Sequence, residues 1–267
     1  MGKGSEALTP RWIPGAVSAT FKKMPLTADE VIALLADCGL QAVEWSENVH
    51  VQPGDPEGAA LLGRKTEAAG LKVAGYGSYF RLGENENPAE AFAKSLISAR
   101  ALGAPLIRVW AGTLPSAEVD DGLFRALARE AAMIGGMAAE AGIKAAFEWH
   151  KNTLTDTNES ALRLLTEADH PNLYCLWQPT VALSPRERAH GISLMGDRLL
   201  NFHVYSWPDG RRGPLNAAEW QYYLDAASGL TGTRCALLEF VRDDTPEQFR
   251  ADAETLINLL KAVNQDG

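Results

Sequence analysis

The sequence is short of cysteine, of basic residues and of long apolar runs. Only three cysteines occur in 267 residues and no CxxC pair is present, so neither a disulfide framework nor a thiolate zinc site is expected. Lys and Arg number 25 against 34 Asp and Glu, a net charge of −9, and so acidic a chain lacks the basic surface that collects nucleic-acid phosphate or acidic lipid. No run of about 18 apolar residues exists to form a transmembrane helix. We therefore expect neither nucleic acid nor membrane as a partner.

Three further signals are missing. Residues 1–10 carry no apolar segment of the kind found in secretory signals, so we expect a cytoplasmic protein. No GxGxxG follows the first predicted strand and no GxxxxGK[ST] occurs anywhere, which removes the usual nucleotide-binding motifs. No Pro/Gly/Ser-rich linker divides the chain, and we interpret residues 1–267 as one domain.

The sequence does contain a regular alternation of short apolar runs and longer stretches with helical spacing. With 46% hydrophobic residues there is ample material for a large core. The predicted strands are Ala16–Phe21, Gln41–Trp45, Lys72–Tyr76, Leu106–Trp110, Lys144–Trp149, Leu173–Trp177, Leu200–Tyr205 and Cys235–Phe240. Eight strand–helix units in a chain of this length predict an α/β fold, a (β/α)8 TIM barrel, rather than a doubly wound sheet.

In such a barrel the chemistry lies where strands end and the following loops begin. Four consecutive strands, the fifth to the eighth, end in hard-oxygen or imidazole side chains: Glu148, Gln178, His203 and Glu239. Because neighbouring strands lie about 5 Å apart, these side chains can converge on one point. Two carboxylates, an imidazole and an amide oxygen suit a divalent ion such as Mn2+, Mg2+, Co2+ or Zn2+. Without a cation the carboxylates would repel each other or one would take up a proton.

Four strand motifs give the sequence a family resemblance. They are Val43-Glu44-Trp45, Phe147-Glu148-Trp149-His150, Asn201-Phe202-His203-Val204-Tyr205 and Leu237-Leu238-Glu239-Phe240. In their order and strand placement they resemble the xylose isomerase-like TIM barrel superfamily, over nearly the whole chain. The resemblance implies a metal-assisted sugar or sugar phosphate isomerase or epimerase that works through an enediolate. It also implies that Glu148 and Glu239 exchange the proton and that His150 is a neighbour of the substrate.

The sequence departs from the family pattern at the sixth strand. Where the family has Asp, with His three residues later, this chain has Gln178 and then Val181. A glutamine ligates through its carbonyl oxygen but adds no charge, so the ion would be held more weakly. The alternative is that the metal is lost and Gln178 hydrogen-bonds Glu148 or Glu239. A metal-dependent lyase or dehydratase and a non-catalytic sugar-binding barrel with a degenerate metal site therefore stay open beside the isomerase.

Further residues at or near strand ends are candidates for binding a small-molecule carbohydrate. They are Glu44, Tyr79, Arg108, Trp110, Trp177, Tyr205, Trp207 and Arg242. Aromatic faces pack against sugar C–H groups, and polar edges bind hydroxyls. A second group, Arg108, Arg211, Arg212 and Arg242, could clamp a phosphate or carboxylate, and Arg242 is preferred because it follows Glu239 closely. Barrels of this kind often pair, which leaves a homodimer open, although no exposed stripe in the sequence requires one.

Overall fold

The chain forms a closed barrel of eight parallel strands that neighbour one another in sequence order. The computed structural model describes residues 11–265. The strands are β1 (Arg11–Val17), β2 (Ala42–Ser46), β3 (Lys72–Arg81), β4 (Leu106–Trp110), β5 (Lys144–Glu148), β6 (Leu173–Trp177), β7 (Leu199–Val204) and β8 (Thr233–Leu238). β1 pairs with both β2 and β8, so the ring has no open edge. The predicted (β/α)8 fold is confirmed.

A helix follows each strand and covers the outside of the ring. The helices are α1 (Ala28–Asp37), α2 (Pro56–Ala68), α3 (Pro88–Leu102), α4 (Asp121–Glu140), α5 (Asn158–Ala168), α6 (Pro185–Met195), α7 (Ala217–Ala226) and α8 (Pro246–Gln265). Their first turns are fixed by side-chain caps; Thr27, for example, forms a reciprocal capping box with Glu30 at the start of α1. Within residues 11–265, no helix is long and apolar enough to cross a membrane.

Two strands, β1 and β3, differ from the prediction by more than two residues at a boundary, and the remaining differences are of one or two residues. β1 begins before the predicted segment and ends at Val17, and residues Ser18–Lys22 form a short 3-10 helix instead of extended chain. Pro14 kept the start of this strand from being predicted, because proline has no backbone N–H to donate to a neighbouring strand and so argues against a strand in the sequence. β3 continues to Arg81, since its last residues stay paired with the end of β4.

Side chains on the strands alternate between the barrel interior and the helix layer, as the pleat requires. The interior is filled by apolar side chains in its lower part; Leu106, Ala146 and Leu176 form one such cluster. Two residues further along the chain from each of these lie Arg108 on β4, Glu148 at the end of β5 and Gln178 directly after β6. A distance of two residues along the chain therefore separates the apolar interior from a layer of charged and polar side chains at the mouth of the barrel.

Candidate metal and substrate site

Glu148, His203 and Glu239 meet at the centre of the barrel mouth. One ligand atom of each lies within 4.8 Å of the others, and all three side chains are buried. Nδ1 of His203 lies 3.3 Å from Oε1 of Glu148 and 3.6 Å from Oε2 of Glu239. The structure thus brings together three of the four residues that the sequence suggested as metal ligands.

Glu44 on β2 orients the imidazole from behind. Its Oε2 lies 3.2 Å from Nε2 of His203. Its carboxylate is fully buried and does not line the cavity at the mouth of the barrel, which is described below. An Nε2–H that donates to Glu44 leaves the Nδ1 lone pair directed at Glu148 and Glu239, the arrangement in which a histidine ligates a metal. Glu44, predicted as a substrate residue, therefore contacts His203 instead of the space where a substrate would lie.

Arg108 places a permanent positive charge inside the cluster. It is 3% exposed, with Nη1 3.3 Å from Oε2 of Glu148 and Nε 3.9 Å from Oε1 of Glu44. The guanidinium lies over the ring of Trp110, 4.7 Å from its centroid, and Nε1 of Trp110 donates to the Glu148 carboxylate. Arg108 therefore partly neutralises the two carboxylates that it touches.

The surroundings of Glu148 and Glu239 shift their pKa values in opposite directions. Burial alone would raise the pKa of Glu148, but Arg108 and His203 outweigh it and lower that pKa. Burial raises the pKa of Glu239 to about 7, with Glu148 acting in the same direction and His203 against it. Burial alone would lower the pKa of His203, yet the carboxylates of Glu44 and Glu239 hold it well above the usual value. Without a metal, the cluster therefore retains protons to balance its negative charge.

Gln178 lies at the same cavity with its amide held in one orientation. Its Nε2 donates to the backbone carbonyl of Trp149 at 2.5 Å, while its Oε1 is buried and makes no hydrogen bond within residues 11–265. The expected alternative, a hydrogen bond from Gln178 to Glu148 or Glu239, is not formed. The amide nitrogen donates to the backbone, and the carbonyl oxygen of Gln178 stays available as a neutral ligand.

The donor set fits a divalent ion. Oε2 of Glu239, Nδ1 of His203 and Oε1 of Gln178 are all buried atoms without a hydrogen-bond partner in the part of the chain that the structure describes. Buried polar atoms are normally satisfied, and a cation held by Glu148, His203 and Glu239 would satisfy the atoms of Glu239 and His203. Arg108 opposes a cation by its charge, but one guanidinium does not balance the carboxylates of Glu44, Glu148 and Glu239. Glu148, His203 and Glu239 would hold the ion, with Gln178 as an uncharged fourth donor.

A cavity of about 360 Å³ opens above this cluster. Of the residues predicted to bind or process a substrate, those that line it besides the two glutamates are Tyr79, Arg108, Trp110, His150, Tyr205 and Trp207. Tyr205 and Trp207 lie with ring centroids 5.2 Å apart, and the buried Nε1 of Trp207 has no hydrogen-bond partner among residues 11–265. The wall therefore combines apolar ring faces with the charged and polar side chains of Arg108, Glu148 and Glu239, which suits a small polar ligand.

Besides Glu44, two predicted substrate residues do not line the cavity. Trp177 faces the helix layer, where it packs on Phe202 and Tyr223 and its Nε1 donates to the carbonyl of Arg188. It points outward because the next residue, Gln178, takes the inward position. Arg242 is 46% exposed and its guanidinium is engaged by the nearby Asp243 and Gln248, away from the cavity.

Several lining residues were not foreseen from the sequence. They are Ala19, Thr20, Lys22, Lys23, Lys151, Thr180, Val181, Phe240 and Asp244, while Arg212, considered above only as an anion clamp, also lines the cavity. Most lie in the segments directly after β1, β5, β6 and β8, where the barrel rule places functional groups. Position after a strand end therefore pointed to these loops, but it does not indicate which side chains of a loop face the cavity.

Comparison with known proteins agrees with this fold. Residues 32–258 match a family model described as xylose isomerase-like TIM barrel. No curated protein sequence matches the chain.

Solved structures with the same fold cover almost the whole chain. The probable 3-DHS dehydratase AsbF of Bacillus anthracis superposes with a TM-score of 0.77, at 16% identity, over 92% of this chain and 99% of that one. D-Psicose 3-epimerase of Clostridium cellulolyticum H10 gives a TM-score of 0.69 at 14% identity over 94% and 99%. The IOLI protein, solved with a bound zinc atom, gives 0.71 at 11% over 94% and 98%. At these identities the likeness establishes the fold alone.

Proposed function

Because this chain belongs to the xylose isomerase-like TIM barrel family, we propose that it is a metal-assisted isomerase or epimerase of a sugar or sugar phosphate. The observation that carries the proposal is the convergence of Glu148, His203 and Glu239 at the floor of a cavity of about 360 Å³. The donor atoms of Glu239 and His203, buried and without hydrogen-bond partners among the described residues, fit a metal, and the volume above them fits a small ligand.

The metal's contribution and the protein's can be separated. A bound divalent ion would polarise a substrate carbonyl and its neighbouring hydroxyl, so that the adjacent C–H becomes more acidic. The protein must then remove that proton and return it to a defined carbon or face. Glu148 and Glu239 are the only carboxylates at the buried floor of the cavity in the part of the chain that the structure describes, and we assign the proton exchange to them.

The remaining wall residues orient the substrate in this proposal. His150 is half-buried at the rim, with its ring 5.8 Å from that of Trp110, where it can hydrogen-bond a sugar hydroxyl. The rings of Trp207 and Tyr205, which both line the cavity, would exclude water from the C–H side of the ligand. Fixing the reacting carbon beside the carboxylates would supply much of the rate acceleration.

The test is solvent-deuterium incorporation into keto-sugars and their phosphates. The purified protein is first analysed for bound metal and then incubated in D2O with each sugar and added Mn2+, and products are read by mass spectrometry. We expect a gain of one mass unit at the exchanging carbon. We expect Glu148→Gln and Glu239→Gln to abolish it, while Glu140→Gln, an exposed glutamate on α4, retains wild-type rates.

The outcomes are distinguishable. Exchange that survives both cavity variants would refute the assignment of the carboxylates. Metal-dependent loss of water from the sugar would identify a dehydratase on the same scaffold. Protein that binds sugar but takes up no metal and catalyses no exchange would support a non-catalytic sugar-binding barrel.

A further inference from the structure

We propose that the substrate of this site carries an anionic group, a phosphate or a carboxylate, which Lys22 and Lys151 bind at the rim of the cavity. The inference deepens the proposed function, because it names the class of substrate for the same site. It depends on that function only for the reaction that follows binding, and binding is measured separately below.

The charge of the cavity wall differs from that of the protein as a whole. Five cationic side chains line the cavity against three carboxylates: Lys22, Lys23, Arg108, Lys151 and Arg212 against Glu148, Glu239 and Asp244. The whole chain has a net charge of −9. A surplus of cations around one cavity of an acidic protein favours an anionic ligand there, and a bound divalent metal would increase that surplus.

Glu148 and Glu239 lie deeper in the cavity than Lys22 and Lys151. Glu148 and Glu239 are buried at the floor, at 3% and 4% exposure, while Lys22 and Lys151 are exposed at the mouth. A ligand that spans this cavity meets carboxylates and a metal position at one end and ammonium groups at the other. A polyhydroxylated carbonyl compound with an anion at its far end matches both ends.

The lysines differ in whether they are already paired. Asp244 lies 3.4 Å from Nζ of Lys23 and also pairs with Arg212, so the only rim carboxylate among the lining residues is shared by two cations. Lys22 and Lys151 have no carboxylate within 4.0 Å among residues 11–265. These two ammonium groups are therefore free to bind a ligand without breaking an ion pair.

The two free lysines approach the cavity from opposite sides. Lys22 ends the 3-10 helix after β1, and Lys151 follows β5; in a ring of eight strands these two are diametrically opposed. Both nevertheless line the one cavity. An anionic group at the mouth of the cavity is therefore flanked by a cation on each of two opposite walls.

The test compares matched neutral and anionic ligands by titration of tryptophan fluorescence, since Trp110 and Trp207 line the cavity. The probes are D-fructose, D-fructose 6-phosphate and D-gluconate, each with Mg2+ and after EDTA treatment, so that anion binding to a metal is separated from binding at the rim. We expect the phosphorylated sugar to bind roughly tenfold more tightly than D-fructose, with the advantage largely lost in about 0.5 M NaCl. The gluconate arm tells whether a carboxylate serves as well as a phosphate.

Variants test the lysines themselves. We expect Lys22→Ala and Lys151→Ala each to weaken binding of the anionic sugar roughly threefold to fivefold, and to leave D-fructose binding unchanged. Lys261→Ala is the matched control, because that exposed lysine lies on α8 at the opposite end of the barrel. Equal affinity for neutral and anionic sugars, or lysine variants that bind both as wild type does, would overturn the proposal. Anion binding that depends on the lysines in a protein without exchange activity would refute the proposed function and leave this inference standing.

Discussion

Replacing Arg108 by methionine should show how strongly the mouth of the barrel depends on this one buried cation. The side chain is 3% exposed and neighbours the carboxylates of Glu44 and Glu148. Methionine fills similar volume but removes the permanent positive charge beside both carboxylates, which then have only His203 as a cationic neighbour within 4.0 Å among residues 11–265. Breaking a buried ion pair by removing one partner costs about 3–5 kcal/mol. A chain of this size loses about 2–4 °C in Tm per kcal/mol, so we expect Tm to fall by about 6–20 °C in EDTA.

The fall in Tm caused by Arg108→Met should depend on pH and on added metal. Because the pKa of Glu239 is raised to about 7, its protonated form stabilises the fold at low pH, and that stabilisation fades as the pH rises through 7. Arg108 lowers the pKa of Glu239, so Arg108→Met should raise that pKa further. The Tm of the variant should therefore fall further below that of the wild type at pH 8 than at pH 5.5. A divalent ion supplies the missing positive charge, and added Mg2+ or Mn2+ should raise the Tm of the variant more than that of the wild type.

The assay is thermal unfolding followed by circular dichroism at both pH values, with and without metal. Arg186→Met is the matched control, because Arg186 is exposed on α6, and we expect it to change Tm by less than about 2 °C. A comparably small change for Arg108→Met at pH 8 in EDTA would refute the reasoning. It would mean that the carboxylates are balanced by protons alone.

Three further outcomes follow from the same geometry. A Cβ on Gly77 would lie 2.8 Å from Oε1 of Glu44, so Gly77→Ala should lower the free energy of unfolding, measured in urea, by about 1–3 kcal/mol. Gly229→Ala, with open space around it, should leave that free energy nearly unchanged. Equal losses of stability in the two variants would show that Glu44 and Arg108 move aside without cost. Metal affinity measured by calorimetry should rise between pH 6 and 7, by up to about tenfold per pH unit for each proton that is displaced, because Glu239 and His203 must both release protons; a pH-independent affinity would contradict this. Burial raises the pKa of the free Cys175 thiol to about 12, so mass spectrometry after iodoacetamide treatment at pH 8 should find it unmodified until the protein is unfolded; modification in the native state would show that β6 opens.

The sequence was sufficient for the barrel and for the three charged residues at its centre. Repeated strand–helix units specify the fold, and Glu148, His203 and Glu239 are conspicuous because charged residues at the ends of apolar strands need a reason to be there. The two-residue period of a strand would also have excluded Trp177. It stands one position before the inward-facing Gln178, so its ring has to enter the helix layer.

The rim was not predictable in the same way. Phe240 lines the cavity with a φ of 55°, in a left-handed region that is costly for an aromatic residue, and Asp243 has a φ of 62°. Such conformations are imposed by tertiary packing; the Phe240 ring, for example, lies 5.7 Å from that of Tyr205. Local sequence carries no periodic signal for them, so the choice between Arg242, which turns away, and Arg212, which turns inward, could not be made from the sequence.

The pairing of β1 with β8 sets an order of events during folding. The first strand described finds its second neighbour only after the chain has been made as far as Leu238, and the carboxamide of Asn264 then hydrogen-bonds both the N–H and the carbonyl of Trp12. Until then β1 exposes an unpaired edge, which can recruit other chains. The cluster at the mouth joins β2 to β7 through Glu44 and His203, 159 residues apart, so it too is complete only late. The cluster of Glu44, Glu148, His203 and Glu239 therefore cannot assemble until the last strand has closed the ring.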